Sequence, residues 1–348
     1  MKLLTNLLIF CNLLLVVATF GAFLSPFVSP QTSAIFPILG LLIWGLLAAN
    51  IFFAVVWSWL QPKFAFFSLV TLILSIPSVR NMYAFNWSSP YQNTPKQLHV
   101  ATYNTQFSKP LIHHPTLSEE VMTQQFSDFL SGIDHVDILG VQECGWRTDE
   151  LIDQAMQFPY RHFIPNIYTG IYSKLPIINQ GTIKFNNSAK RCLWADLTVN
   201  KDTIRVYVAH LEPNRSDGKI PIVMNQEAKE TISYRKLAGI VQHQAIFSRK
   251  RTEQAQMIRA HQATSPYPSI IMGDFNDIPQ TFTYSTVSQS MKDTFLEKGF
   301  GLGTTHSKLD PLLRIDYLLV DATFSVVKHK IHKVPFSDHY LVEGAISF

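Results

Sequence analysis

Asn104, Glu143, His210, the turn Gly273-Asp274-Phe275-Asn276, Asp316 and the pair Asp338-His339 all stand at or beside the end of an apolar, strand-like run. Carboxylates and amides ligate hard cations, and carboxylates and imidazoles orient water and move protons. Taken one at a time these residues have plain explanations. A single glutamate is usually a solvated acid, an Asp/Asn-rich stretch is usually a turn, and a lone histidine is more often structural. The set is more informative than its members, because side chains emerging from several strand ends can meet in one cleft.

The elements that would position them are mostly short strands. Leu98–Tyr103 alternates as a half-buried strand, and Val136–Val141 is a short buried one ending at Gln142-Glu143. Gly170–Ile178, Arg191–Val199 and Thr203–Leu211 follow, the last two joined through Asn200-Lys201-Asp202 as a hairpin. Ser269–Met272, Arg314–Val320, Phe324–Lys333 and Val342–Phe348 complete the set. Ser118–Ser131 reads as a helix with Ser118 as its N-cap, and 224–263 as a long polar helix with one packed face. Many strands with a few intervening helices predict two packed sheets covered by helices.

The first 80 residues differ in kind. Lys2, Lys63 and Arg80 are their only charged side chains, and they account for all but one unit of the formal +4. The remainder is therefore nearly neutral, which argues against a strongly basic nucleic-acid-binding face. Residues 4–27 and 33–60 each exceed the roughly 20 apolar residues a membrane-crossing helix needs, with Trp44, Trp57 and Trp59 suited to the interface. Residues 64–79 form a shorter third candidate containing Pro77. Three crossings, with Lys2 and Lys63 inside, would place the large domain outside the cytoplasmic membrane. Residues 81–97 have linker composition and lead into a domain over 98–348.

The three cysteines, Cys11, Cys144 and Cys192, match neither a disulfide framework nor a zinc spacing, and two buried free thiols are preferred to a Cys144–Cys192 bridge. The basic run Arg249-Lys250-Arg251, with Arg259 and His261 beyond it, is taken as a solvated helix face rather than a phosphate site.

Tyr103-Asn104, Val141-Gln142-Glu143, His210-Leu211, Gly273–Asn276, Arg314-Ile315-Asp316-Tyr317 and Ser337-Asp338-His339-Tyr340 occur in the order of the endonuclease/exonuclease/phosphatase signature. The chain from Leu98 to Phe348 resembles that superfamily, which includes pancreatic-type deoxyribonucleases, abasic-site endonucleases, inositol polyphosphate 5-phosphatases and neutral sphingomyelinases. The resemblance implies an α/β fold, a four-layer α/β/β/α sandwich of two mixed sheets flanked by helices, here behind a transmembrane helical segment. It implies Mg²⁺ or Mn²⁺ as cofactor, with Glu143, Asn104 and Asp338 on the metal side. It assigns Asp274 to the attacking water, Asn276 and His210 to the phosphate, and His339 with Asp316 to acid/base or transition-state stabilisation. Two departures stand out: Gln106 occupies a place where abasic-site endonucleases have an acid, and Tyr103 replaces a common Trp. Glu212 and Asn214 lie close to His210 without matching the pattern.

The expected activity is a membrane-anchored, metal-dependent, nuclease-like phosphodiesterase acting on nucleic acid or a phospholipid headgroup. Alternatives are a phospholipid phosphoesterase of sphingomyelinase or phosphoinositide type, a phosphomonoesterase, and a silent binding module on the same fold. No obligatory protein partner is implied beyond the lipid around the helices.

Overall fold

An apolar sequence almost free of charge folds as helix through most of residues 2–82: α1 (Lys2–Leu24), α2 (Ile35–Leu41), α3 (Ile43–Leu60), α4 (Pro62–Leu74) and α5 (Ile76–Met82). The structure is a computed structural model and describes residues 2–87, 97–214 and 234–348. α1 and α3 are each long and apolar enough to cross a membrane, and α4 with α5 would make a third span only as a pair bent by 43°. The expected second span over 33–60 is thus not continuous, since Leu42 leaves helical geometry with ψ near 1°. The expected third span starts earlier, at Pro62, and bends beside Pro77, which has no N–H for the carbonyl a turn back.

Polar side chains inside these helices face one another. Asn12 Nδ2 donates to Ser68 Oγ (2.8 Å), Trp57 Nε1 donates to Asn12 Oδ1 (3.1 Å), and Asn50 Nδ2 donates to Thr19 Oγ1 (2.9 Å). Such bonds tie α1 to α3 and α4 where apolar surroundings offer no other partner. Trp57 is therefore a buried packing residue rather than an interfacial anchor, whereas Trp59 is exposed. Leu3, Leu7, Phe10, Leu14 and Val17 line an outward apolar stripe on α1.

The chain divides into two compact units; these helices belong to one, with Pro213–Glu253 and Ile278–Thr286. The other comprises Tyr83–Glu212, Gln254–Asp277 and Val287–Phe348. Its strands are β1 (Ala84–Phe85), β2 (Gln97–Asn104), β3 (Ile138–Gln142), β4 (Tyr160–Ile164), β5 (Thr169–Ser173), β6 (Ile177–Lys184) and β7 (Arg191–Val199), then β8 (Asp202–His210), β9 (Ser269–Asp274), β10 (Met291–Asp293), β11 (Phe300–Gly301), β12 (Asp316–Asp321), β13 (Ser325–His332) and β14 (Leu341–Ser347). The remaining helices are α6 (Lys109–Ile112), α7 (Glu119–Ser131), α8 (Trp146–Met156), α9 (Tyr234–Ala263), α10 (Phe282–Ser288) and α11 (Thr294–Lys298).

Two six-stranded mixed sheets result, ordered β13-β14-β2-β3-β5-β4 and β10-β12-β9-β8-β7-β6. Period-two alternation sends Val100, Ile138, Val342 and Ile346 of the first sheet against Val206, Val208, Ile270, Met272 and Leu318 of the second. Gly140 permits the approach, because a Cβ there would lie 2.6 Å from Val208 Cγ2. The opposite face of the first sheet, including Ala101, Tyr103 and Leu139, packs on Met122, Phe126 and Leu130 of α7 and Leu151 and Ile152 of α8. On the outer face of the second sheet, Tyr207 and Trp194 meet His261 of α9. The four-layer sandwich is therefore as expected.

Several local expectations need correction. Gly170–Ile178 is two strands, interrupted at Lys174-Leu175-Pro176, and α8, β4 and β10 had no clear sequence signal. Residues 84–85 of the expected linker pair with Phe300–Gly301, while 88–96 of that linker and 224–233 of the expected helix lie outside the described residues. Arg251 is fully buried and donates to Asn214 Oδ1 (2.7 Å), so the basic run is not a uniformly solvated face. Cys144 and Cys192 are free and buried.

Candidate active site

Strand directions gather the predicted residues at one end of the sandwich. β2 and β3 run parallel with Asn104 opposite Gln142, and β8 and β9 run parallel with His210 opposite Asp274. β12 and β14 are antiparallel to β9 and β2, so Asp316 and the Asp338-His339 turn enter from the same end. Gln106, Glu143 and Asn276 there hold left-handed backbone, at φ 49°, 48° and 51°. That conformation is costly for glutamate and re-aims its side chain as the chain leaves β3.

Asp274 is the centre. Its carboxylate is 1 % exposed and accepts bonds from Asn104 Nδ2 (3.0 Å), the Asn276 amide N–H (2.8 Å) and Asn276 Nδ2 (3.2 Å). The Asn104 bond links the two sheets. Burial and the neighbouring Asp316 nevertheless push the Asp274 carboxyl up to about 6, against the pull of His339 and these donors.

His339 Nδ1 donates to Asp316, 2.9 Å from Oδ2, which leaves Nε2 3.8 Å from Asp274 Oδ2 and 4.0 Å from Asp338 Oδ1. Burial opposes charge on this ring, but Asp316 and Asp274 outweigh it and raise the imidazole to about 10. It is therefore an imidazolium at neutral pH. Thr305 Oγ1 accepts the N–H of Asp316, and Ser337 Oγ accepts that of His339 while donating to Asn104 O, so the pair is braced from both sheets.

On the other side, His210 Nε2 stands 3.8 Å from both Glu143 Oε1 and Asp274 Oδ2. Burial, then Lys190 and His339, hold His210 well below its ordinary value, so it is neutral. Lys190 Nζ donates to its Nδ1 (3.3 Å), which leaves the proton on Nε2, directed into the cleft. Lys190 also lies 3.6 Å from Glu143 Oε1. Glu143 is raised from the usual carboxylate range by burial and by Asp274, despite Lys190.

Every predicted site residue is in this cluster. Asp338 stands at its rim, where its Oδ2 accepts from Gln106 Nε2 (3.0 Å) and faces Lys308 (3.1 Å) and His306 (3.7 Å). Gln106 therefore supports the site as a donor at the position of the absent acid. Glu212 and Asn214 stay out, the first bonded to Ser188 and the second to Arg251. Sequence reasoning missed Lys190, His306 and Lys308, which sit on connections with no strand to mark them. Arg314, named within a matched block, forms a buried ion pair with Asp293 (2.6 Å) and steadies the approach to β12.

Gly273 explains the first residue of its turn. At φ 131° a Cβ would lie 2.0 Å from Ala209 O, so only glycine lets β9 lie this close to β8 one residue before Asp274. Gly273→Ala is expected to fold with reduced stability and to lose at least about tenfold in turnover, because a ~1 Å misplacement of a reacting group can cost about a hundredfold in rate. Steady-state kinetics beside a thermal melt check this, and unchanged kcat would refute it.

The donor set suits a hard divalent cation: Glu143, Asp274, Asp316 and Asp338 supply carboxylates and Asn104 an amide oxygen, and Glu143 is destabilised by burial and by a neighbouring acid. Comparison with known proteins agrees. The family model of the Endonuclease/Exonuclease/phosphatase family matches residues 101–339, and one described as a domain of unknown function (DUF8431) matches residues 5–82. No curated protein matches the sequence. Solved structures share the fold. An endonuclease/exonuclease/phosphatase from Bacteroides vulgatus is 14% identical with TM-score 0.53, covering 72% of this chain and 99% of its own. Caenorhabditis elegans TDP2 is 18% identical with TM-score 0.51, covering 72% and 98%. D. rerio TDP2, solved with a single-strand DNA product, is 14% identical with TM-score 0.52, covering 72% and 99%. The chain belongs to the endonuclease/exonuclease/phosphatase family, and its sandwich domain is that of a metal-dependent phosphoesterase.

Proposed function

We propose that residues 98–348 hydrolyse a phosphodiester in a nuclease-like manner with Mg²⁺ or Mn²⁺. The observation that carries this is the meeting, within about one phosphate's reach, of Asp274, the His339–Asp316 pair, neutral His210 and the partly desolvated Glu143. When bound, the cation neutralises phosphoryl oxygens and the developing charge on the leaving group. Glu143 and Asn104 would hold it, and Asp338 adds negative charge from the rim. Asp274, ionised and fixed by three donors, orients the attacking water and takes its proton. His210 presents Nε2–H to a phosphoryl oxygen, and Asn276 fixes the nucleophile's side of the site. The His339 imidazolium, kept charged by Asp316, stabilises the pentacoordinate state and can supply a proton to the leaving oxygen.

A panel of DNA, RNA, sphingomyelin, phosphatidylinositol phosphates and nitrophenyl mono- and diesters tests this in the metal-replete full chain. DNA or RNA turnover that needs Mg²⁺ or Mn²⁺ is expected, with Glu143→Gln raising the metal concentration required. Turnover of monoesters alone would exclude a phosphodiesterase. Absence of any turnover would leave only a binding module. The apolar helices favour one second reading, a phospholipid phosphoesterase, which preferential hydrolysis of the lipid substrates would establish.

We further propose that the helices of residues 2–82 anchor the chain in a cytoplasmic membrane with the catalytic domain outside. Two spans, α1 and α3, and the bent α4–α5 pair as a third give an odd number of crossings, and Lys2 and Lys63 favour the cytoplasmic side. A reporter active only outside the cytoplasm, fused after Phe348, should be active. A reporter active only when cytoplasmic would reverse the orientation.

A further inference from the structure

The strand that delivers Asn104 to the catalytic cluster also carries His99, five residues earlier and about 17 Å away at ~3.3 Å per residue. There, on the helix-covered side of the first sheet, histidines gather around one carboxylate. Glu343 of β14 is 1 % exposed. His135 Nε2, from the connection between α7 and β3, lies 3.1 Å from Glu343 Oε1, and His99 Nδ1 lies 3.8 Å from the same oxygen. His332 Nε2, at the end of β13, lies 2.7 Å from Oε2. Lys328 Nζ reaches Oε1 at 3.0 Å. None of these residues takes part in the catalytic site.

The geometry suits ligation. The His99 and His135 rings stand at 89° with centroids 5.0 Å apart, and their ligand atoms and a Glu343 oxygen all lie within 4.8 Å of one another. Two ligands bound to a tetrahedral zinc ion at ~2.0–2.1 Å are themselves about 3.3–3.5 Å apart, and the 3.1 and 3.8 Å separations from Glu343 Oε1 bracket that value. At 3.8 Å the His99 nitrogen is near enough to Glu343 Oε1 to share an ion with it.

We propose that His99 Nδ1, His135 Nε2 and Glu343 Oε1 form a second metal site, selective for a zinc-class ion. Imidazole nitrogen distinguishes it from the oxygen-rich catalytic cluster, since two imidazoles and a carboxylate suit zinc or cobalt rather than magnesium. His332 donates to the other oxygen of Glu343 and fixes the carboxylate's orientation, as outer partners of metal ligands do. The His135 side chain is 42% exposed, which gives the ion a path from solvent and leaves a coordination position for water. Lys328 competes for Oε1, and its partly exposed ammonium swings outward when the ion binds. The bound ion ties β2 and β14 to the turn after α7, so its effect is on stability rather than on the reaction.

The full chain in detergent, with excess Mg²⁺ present to fill the catalytic site, is titrated with Co²⁺ and followed by its visible d–d absorption. One Co²⁺ per chain in a low-coordinate environment, displaced by Zn²⁺, is the expected result. His135→Ala, a substitution on an exposed turn, should weaken Co²⁺ binding at least tenfold and abolish the rise in melting temperature that Zn²⁺ gives the unsubstituted chain. Lys328→Met should tighten Co²⁺ binding several-fold. If the unsubstituted chain binds no Co²⁺ under these conditions, or binds it as tightly after His135→Ala, the cluster is a hydrogen-bonded buried carboxylate only and the proposal fails.

Discussion

Asp274→Asn is expected to lower kcat/KM by about 10³-fold, within the roughly 10²–10⁴ range for loss of a positioned general base, while the protein stays folded. Asparagine keeps the shape, but its single carbonyl oxygen can accept on one side only, from Asn104 Nδ2 or from the Asn276 amide, and it cannot take a proton from water. The fold should tolerate the change, because the native carboxylate is buried beside Asp316 and loses that repulsion when it becomes an amide. Single-turnover kinetics separate chemistry from binding, and a circular dichroism melt tests the fold. Loss confined to KM, or activity within tenfold of the native protein, would move the base elsewhere.

His339→Ala should cost a similar amount, on the order of 10²–10⁴-fold, and should also change the pH profile. As the proposed general base Asp274 would act ionised, and burial with Asp316 raises its carboxyl to about 6, so kcat/KM of the native protein should climb as pH rises through that value. The His339 imidazolium is among the groups holding Asp274 down. Its removal raises Asp274 further, so the acidic limb of the residual activity should move to higher pH. The native profile should fall again toward pH 10, where the imidazolium discharges, and the variant should lack that descent. An acidic limb that does not move would show that His339 and Asp274 are not electrostatically joined during turnover. Asp316→Asn should reproduce part of the loss by leaving His339 unbraced.

The strands were legible where alternation was clean and a turn residue closed them. β7 and β8 match their expected limits within one residue because Asn200 takes the left-handed conformation (φ 57°) that the hairpin needs. The helix at Glu119–Ser131 follows from its cap, since Ser118 Oγ accepts the Val121 N–H. Gly170–Ile178 misled because its apolar run continues through Leu175-Pro176-Ile177 while the chain leaves one sheet and joins the other. Composition cannot report such a change of sheet. Lys190, His306 and Lys308 were missed for a related reason, as each lies on a connection whose course depends on the strands at both ends.

The sequence by itself determined the residue types of the site, their order along the chain and the separation of an apolar helical segment from a nearly neutral sandwich. These depend on local patterning and side-chain chemistry, which a linear string carries. Only the tertiary structure decided that Asn104 bonds Asp274 across the two sheets, that Lys190 settles the tautomer of His210, and that Asp316 keeps His339 charged. It also decided that His99, His135, Lys328 and His332 meet around the buried Glu343 carboxylate at the far end of β2. Each of these facts is a distance between groups remote in sequence, and burial sets its strength by removing the water that would screen it.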